Sequence, residues 1–205
     1  LVFGFIFGPP LINVLRRKQG KGQPIRGDGP ESHFAKAGTP TMGGLLIVGA
    51  LTFSTLLWAR LDNPFIWMVL FVTLSFAAIG FADDYAKVSK QNTKGVSGKI
   101  RLLLGVLIAA IAGYWAAQYH PADLVNQLAV PIFKDVLLNL GIFFVPFSVI
   151  VIVGSANAVN LTDGLDGLAI MPVMIAAATF GIISYVVGRT DFSEDLGLHY
   201  IPHAG

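Results

Sequence analysis

The sequence contains no cysteine, and only 13% of its 205 residues are charged. The missing cysteine excludes disulfide bonds and thiolate metal sites, which leaves carboxylates, histidines and backbone groups as metal ligands. The scarcity of charge, with 54% apolar residues and a mean hydropathy of +0.69, excludes an ordinary soluble domain. The basic stretches also lack the interleaved aromatic residues that are typical of nucleic-acid surfaces. We therefore expect an integral membrane protein that binds no nucleic acid.

Six apolar segments organise the chain. A helix that spans a membrane needs roughly 17 to 25 predominantly apolar residues, and five of the segments are interpreted as complete transmembrane helices. The first is expected to be a truncated helix. The segments are residues 1–15, 43–59, 65–82, 102–117, 136–153 and 168–188. The predicted fold is an all-α, polytopic membrane protein, with residues 1–205 forming a single transmembrane domain that is incomplete at both ends.

The basic residues are distributed unevenly between the two sets of loops. Of the 14 lysines and arginines, only Arg60, Lys134 and Arg189 fall outside one set of alternate loops. Loops rich in lysine and arginine stay on the cytoplasmic side of a membrane. We therefore predict that loops 16–42, 83–101 and 154–167 are cytoplasmic. All the unusual polar motifs then lie on one side of the membrane.

Two adjacent carboxylates, Asp83 and Asp84, directly follow the apolar segment 65–82. At the C-terminal end of a helix they would meet the negative end of the helix dipole and repel each other. A divalent cation such as Mg²⁺ would relieve both penalties and would bring a phosphate-binding site with it. Lys87 is expected on the same helix face, one turn further on. The alternative interpretation is an ordinary solvated helix end.

The other two polar loops also carry residues suited to a ligand. In residues 27–44, glycines and Thr41 lead into the start of the second helix, where free N–H groups suit a phosphate; a turn-rich connector is the alternative. The third loop has four polar side chains spaced three apart, which suit the hydroxyls of a ribose or sugar. A solvated turn with acidic helix caps is the alternative there. The four residues are Asn157, Asn160, Asp163 and Asp166.

Two further patterns concern helix packing. Gly105, Ala109, Gly113 and Ala117 recur every four residues along the fourth segment, and such a stripe of small residues is most simply a face that packs against another helix. Pro146 lies inside the fifth segment, where it is expected to kink the helix.

The three polar blocks resemble the phospho-N-acetylmuramoyl-pentapeptide transferases of bacterial cell-wall synthesis, which belong to the polyprenyl-phosphate sugar-1-phosphate transferases. The Phe-Ala-Asp-Asp-Tyr block at 81–85 and the asparagine-aspartate block at 157–167 are similar to motifs of the whole superfamily. The loop 27–44, with Asp-Gly-Pro-Glu-Ser-His and Gly-Thr-Pro-Thr-Met-Gly-Gly, resembles the muramoyl-pentapeptide branch alone. The resemblance extends over essentially the whole chain.

This resemblance implies a Mg²⁺-dependent enzyme of the bacterial inner membrane, working on the cytoplasmic face. It would transfer phospho-N-acetylmuramoyl-pentapeptide from UDP-N-acetylmuramoyl-pentapeptide to undecaprenyl phosphate, giving lipid I and UMP for peptidoglycan. Asp83 and Asp84 would be catalytic and hold the metal, with Asp83 the candidate base. Lys87 and Lys99 would neutralise the diphosphate. The remaining substrate-binding residues would be Lys36, Thr41, Asn157, Asn160, Asp163 and Asp166. Homodimers are common in the family.

The chain departs from the family in one respect. The family carries a further Gly-Asp-x-Gly-Ser segment and a histidine-rich loop, and neither occurs before Gly205. A third metal-binding carboxylate is therefore expected beyond Gly205, and the 205-residue chain alone is expected to be inactive. Two alternatives remain: a related transferase that uses UDP-N-acetylglucosamine, and a membrane transporter with interfacial carboxylates.

Overall fold

The computed structural model describes residues 2–19, 41–91, 95–119, 124–130, 133, 136–162, 168–202 and 204. These residues form helices, one small sheet and a 3-10 turn. In chain order the elements are α1 (Val2–Gln19), α2 (Gly44–Trp58), α3 (Pro64–Lys90), α4 (Gly98–Tyr119), β1 (Gln127–Ala129), β2 (Leu137–Asn139), the 3-10 helix Gly141–Phe143, α5 (Phe144–Thr162), α6 (Ile170–Val187) and α7 (Thr190–Leu196).

Four helical stretches of the described chain are long and apolar enough to cross a membrane, which confirms the all-α polytopic fold. They are Pro64–Lys90, Gly98–Tyr119, Gly141–Thr162 and Ile170–Val187. The fifth expected span is shorter, since α2 has 15 residues. At about 1.5 Å per residue it is about 22 Å long, less than the roughly 30 Å of a hydrocarbon core.

The structure divides into two compact units. The first unit comprises Leu1–Asp62 and Val69–Gly105, and the second comprises Asn63–Met68 and Val106–Gly205. The acidic pair belongs to the first unit, and the asparagines of the third polar block belong to the second.

Helices α1 and α2 contact each other in the first unit. A Cβ added to Gly8 would lie 3.5 Å from Leu46 Cδ2, and one added to Gly49 would lie 3.7 Å from the ring of Phe3. The Phe3 ring also packs 5.5 Å from the ring of Phe53, measured between centroids. The added Cβ atoms would make ordinary van der Waals contacts, so the two glycines lie at this interface without being required by it.

The predicted small-residue face of α4 is confirmed. Gly105, Ala109 and Gly113 are buried, and Ala117 is half-buried. In the second unit this face meets α5, because a Cβ on Gly113 would lie only 2.9 Å from Ser148 Cβ. A glycine is thus needed there for the two helices to pack at their observed distance.

Four helices extend further into polar sequence than the apolar segments predicted. Helix α1 continues to Gln19 and α4 already begins at Gly98, while α3 continues through the acidic pair to Lys90 and α5 continues to Thr162. The interpretation of 16–19, 83–90, 98–101 and 154–162 as loops was therefore wrong. Hydropathy marks where the lipid contact ends, but a helix continues as long as its backbone bonds and side-chain pairs are satisfied.

The start of α5 also differs from the prediction. The helix begins at Phe144 instead of Val136, so Pro146 lies in its first turn. A backbone N–H in the first turn has no acceptor within the helix, and proline is tolerated there. The expected kink inside a long fifth helix was therefore wrong.

Strands β1 and β2 form a small antiparallel sheet that the sequence did not predict. Its register pairs Gln127 with Asn139 and Ala129 with Leu137. Asn126 and Gly141, which flank the strands, both have positive φ angles, at 57° and 50°. Gly141, with its positive φ angle, lies between strand β2 and helix α5.

We expect a valine at Gly113 to destabilise the protein, because its Cβ would press on Ser148. Overpacking of this kind lowers the free energy of unfolding by about 1 to 3 kcal/mol. The change would appear as a lower midpoint in thermal unfolding followed by tryptophan fluorescence in detergent. Gly181→Val in α6 is the matched control, since nothing lies within 4 Å of a Cβ there. Equal midpoints for the two variants would contradict the packing described.

Candidate active site

The two carboxylates of the acidic pair have different surroundings. Both lie inside α3, which ends only at Lys90. The Asp83 side chain is 7% exposed and that of Asp84 is 33% exposed. Consecutive residues on a helix point about 100° apart, so one can face the protein while the other faces outward. Asp83 is thus enclosed, whereas Asp84 remains accessible.

Asp83 receives hydrogen bonds from three groups. Lys87 Nζ lies 2.6 Å from Asp83 Oδ2, one helical turn away, as predicted. Arg101 Nη1 donates to the same oxygen at 3.3 Å, and the Val96 N–H donates to Oδ1 at 2.8 Å. A carboxylate with so little exposure needs such partners, because burying an unpaired charge is very costly.

Gly95 allows the chain to pass close to Asp83. Its φ angle is +54°, in the left-handed region that favours glycine. An added Cβ would collide with Asp83 Oδ1 and would lie 2.9 Å from Lys87 Cε. The tight approach brings the neighbouring Val96 N–H to the carboxylate.

Asp84 is held more loosely and by different groups. Thr41 Oγ1 donates a hydrogen bond to Asp84 Oδ2 at 3.3 Å, and Lys87 Nζ lies 3.5 Å from Asp84 Oδ1. The threonine of the first polar loop therefore meets the acidic pair, although 43 positions separate the two residues in sequence. The remaining lone pairs of Asp84 can accept a ligand.

Thr41 is itself held by Gln19, the last residue of α1. Gln19 Oε1 accepts the Thr41 N–H at 2.9 Å, and Gln19 Nε2 donates to the Thr41 carbonyl at 3.1 Å. Sequence reasoning assigned no role to Gln19, and a single amide at the end of a basic helix gave no signal. It also gave Arg101 no place among the site residues, because nothing in the sequence paired that side chain with Asp83.

The charges of this cluster balance. Asp83 and Asp84 are matched by Lys87 and Arg101, and Lys87 Nζ and Arg101 Nη1 each lie within 3.5 Å of a carboxylate oxygen. The argument that the pair needs a metal to relieve repulsion at a helix end was therefore wrong, because the helix does not end there and two side-chain cations are present. A metal would be held here for its chemistry and not to stabilise the fold.

The donor set nevertheless fits Mg²⁺. In the described part of the chain, no three acidic, histidine or cysteine side chains form a metal-binding group. Mg²⁺ commonly takes only one or two protein carboxylates and completes its shell with water and substrate phosphates. Asp84 offers accessible oxygens for this purpose, whereas the oxygens of Asp83 already accept three donors.

The other predicted site residues are less closely defined. Lys99 lies exposed in the first turn of α4 and makes no ion pair within the described residues. Asn157 and Asn160 are exposed on α5, and Asn157 Nδ2 donates to the Val153 carbonyl at 2.8 Å. Their spacing of three puts both asparagines on one side of that helix. Lys36, Asp163 and Asp166 lie outside the described residues.

An alanine at Gly95 is expected to loosen this cluster, because the left-handed conformation costs about 1 to 2 kcal/mol for a residue with a Cβ and the methyl group would displace Asp83. The measurement is the midpoint of thermal unfolding, which we expect to fall by several degrees. Gly98→Ala is the control, since a Cβ at Gly98 meets open space. An unchanged midpoint for Gly95→Ala would be inconsistent with the contact.

Two family models match this chain. The family model described as glycosyl transferase family 4 matches residues 66–199. The model described as phospho-N-acetylmuramoyl-pentapeptide-transferase signature 1 matches residues 36–48, which include Thr41.

Three similar relatives carry the same name. The chain is 77% identical to the phospho-N-acetylmuramoyl-pentapeptide-transferase of Ruegeria pomeroyi, 76% identical to that of Ruegeria sp. TM1040 and 65% identical to that of Dinoroseobacter shibae. In each case the match covers 100% of this chain and 57% of the relative. The chain therefore spans little more than half the length of these relatives. With its helical membrane fold and the match over residues 66–199, the chain belongs to glycosyl transferase family 4.

Proposed function

We propose that the complete protein transfers phospho-N-acetylmuramoyl-pentapeptide from UDP-N-acetylmuramoyl-pentapeptide to undecaprenyl phosphate, forming lipid I and UMP in peptidoglycan biosynthesis. The observation that carries the proposal is the signature match at residues 36–48, together with the hydrogen bond from Thr41 in that segment to Asp84. The segment specific to this branch of the family thus touches the acidic pair. The relatives bearing the same name give independent support.

The proposed reaction is a phosphoryl transfer between two anions. An oxygen of undecaprenyl phosphate forms a bond to the sugar-bearing phosphorus of the donor. The bond between that phosphorus and the bridging oxygen breaks, and UMP leaves with the bridging oxygen. Because a phosphate monoester is mostly ionised at neutral pH, we expect charge stabilisation to matter more than removal of a proton.

The accessible carboxylate is best placed to hold the divalent ion. We assign Asp84 as the principal ligand of Mg²⁺, with Asp83 as a second carboxylate if it releases one of its donors. When bound, the ion supplies positive charge to the diphosphate oxygens and fixes their orientation. Asp83, the candidate base, keeps at most one free lone pair beside the donors Lys87, Arg101 and Val96, and its side chain is only 7% exposed, so it is poorly placed to take a proton from a ligand. Its observed contacts favour a role in holding Lys87 beside Asp84.

The remaining polar groups would bind the donor. Lys99 is exposed at the start of α4, where free N–H groups and the helix dipole favour a phosphate. We propose that Lys87 and Lys99 neutralise the diphosphate, and that Asn157 and Asn160 contact the uridine and ribose. Lys36, Thr41, Asp163 and Asp166 complete the proposed substrate-binding residues.

We place the site on the cytoplasmic face of the bacterial inner membrane. Arg16, Arg17 and Lys18 form the last turn of α1, and Lys87 and Lys90 form that of α3. Such basic ends favour the cytoplasmic side. A water-soluble UDP-linked donor would meet the membrane-bound lipid phosphate there.

The decisive test is the release of UMP by the protein expressed from its complete reading frame, in detergent with undecaprenyl phosphate. We expect UMP from UDP-N-acetylmuramoyl-pentapeptide, little from UDP-N-acetylglucosamine, and none after Mg²⁺ is removed with EDTA, since the diphosphate then lacks its counter-ion. Chromatography of the nucleotide products measures all three. Equal release from both donors would favour the related UDP-N-acetylglucosamine transferase, and ion or solute flux without any uridine product would favour a transporter.

Neutralising the two carboxylates separately is expected to give different results. Asp84→Asn should lower UMP release by at least about 100-fold, more than the 10- to 100-fold loss typical of residues that only support a metal ligand, and should raise the Mg²⁺ concentration needed for half-maximal activity, with little change in thermal stability. Asp83→Asn should abolish release and also lower the unfolding midpoint, because Lys87 and Arg101 lose their shared partner.

The control for both is Asp195→Asn, an exposed carboxylate of α7, which should leave activity and stability unchanged. Full activity of Asp84→Asn at ordinary Mg²⁺ concentrations would contradict the assignment of Asp84 to the metal.

A further inference from the structure

Gln19 is one of the few buried polar residues in the described part of the chain, with 8% exposure. Its amide uses one acceptor and one donor, and both bonds go to the backbone of Thr41. This arrangement imitates the paired bonds of an antiparallel strand and fixes the position and the orientation of that peptide segment. A buried amide keeps both hydrogen bonds because leaving a buried polar group without a partner costs free energy.

The segment that Gln19 holds is under local backbone strain. Met42, directly after Thr41, has a φ angle of +70°, which is uncommon for a residue with a side chain. A residue with a side chain keeps this left-handed backbone conformation only where neighbouring contacts hold it. Two contacts do so here: the Gln19 amide before Met42, and a hydrogen bond from the Leu45 N–H to the Met42 carbonyl at 3.1 Å after it.

The strained segment contacts the acidic pair through the Thr41 side chain. Thr41 Oγ1 donates to Asp84 Oδ2 at 3.3 Å, which occupies one oxygen of that carboxylate. Lys87 lies beside the other oxygen, at 3.5 Å. The hydroxyl can take this position only if the Thr41 backbone is held, because a threonine side chain is short and its χ1 angle is restricted.

We infer that Gln19 is a positioning residue of the transferase site, acting through the backbone and hydroxyl of Thr41 on the orientation of Asp84. This inference rests on the proposed function. Gln19 lies 22 positions before Thr41 and touches neither carboxylate. Residues that hold a metal-binding carboxylate in this indirect way commonly change metal affinity or activity by about 10- to 100-fold when they are removed.

A double-mutant cycle in the protein expressed from its complete reading frame tests the inference. Gln19→Ala removes both hydrogen bonds to the Thr41 backbone, and Thr41→Val removes the hydroxyl while keeping the backbone. Each single variant should reduce kcat/KM for UMP release by about tenfold, mainly through kcat. The double variant should also lose about tenfold, because once either link is broken the other no longer reaches Asp84. Losses that multiply to about a hundredfold would overturn the inference.

Binding of Mn²⁺ without substrates, followed by the electron paramagnetic resonance of the free ion, gives a second readout. The apparent Kd should rise in each single variant and no further in the double variant. An unchanged Kd in Gln19→Ala would contradict an action on Asp84. Asn13→Ala, an exposed amide on the same helix, is the control and should match the wild type.

Gln19→Glu keeps the experiment decisive if the alanine variant does not fold. Ionised glutamate still accepts the Thr41 N–H but cannot donate to its carbonyl, so we expect a partial loss, and the double variant with Thr41→Val should lose no more than Thr41→Val alone. A loss that adds fully to that of Thr41→Val would overturn the inference. If the wild type itself releases no UMP, the proposed function fails; if the wild type is active and the cycle is additive, only the role of Gln19 fails.

Discussion

The enclosed carboxylate of Asp83 is the constraint on which the polar end of the first unit depends. With so little exposure to water, this charge needs several donors, and each comes from a different part of the chain. Lys87 can reach it only if α3 continues beyond its apolar stretch. The Val96 N–H can reach it only if the chain turns tightly at Gly95. Arg101 can reach it only if α4 begins where it does. One side chain thus sets the end of one helix, the following turn and the start of the next.

The sequence predicted the parts of this arrangement that follow from local geometry. Apolar segments of sufficient length marked the membrane helices, and Lys87 was expected on the carboxylate face because residues three and four apart are neighbours on any helix. The small-residue face of α4 followed from its four-residue repeat. Each of these rests on contacts within one helix or on the general rules of packing between helices in lipid.

Other features depend on contacts between distant residues and could not be predicted. Arg101 pairs with Asp83 across 18 positions of the sequence, and Thr41 is held by Gln19 across 22 positions. Hydropathy cannot locate a helix end that is determined by ion pairs and not by contact with lipid. The small sheet was missed for a related reason, since Asn139 is the one polar residue between the apolar residues of β2 and those of α5. Leu140 and the 3-10 helix Gly141–Phe143, with a positive φ angle at Gly141, separate the two elements.

Because its charges balance, the cluster has only a weak electrostatic effect on ligands at a distance. Two carboxylates and two side-chain cations in close contact largely cancel at a distance, so the cluster as a whole attracts or repels an approaching anion only weakly beyond the screening length of about 8 Å in physiological salt. The diphosphate of the proposed donor would therefore be attracted by other basic residues, such as those at the end of α1. Within contact range the cancellation no longer holds, because Lys87 can exchange a carboxylate oxygen for a phosphate oxygen. The cluster is thus suited to discriminate between ligands after arrival and contributes little to their capture.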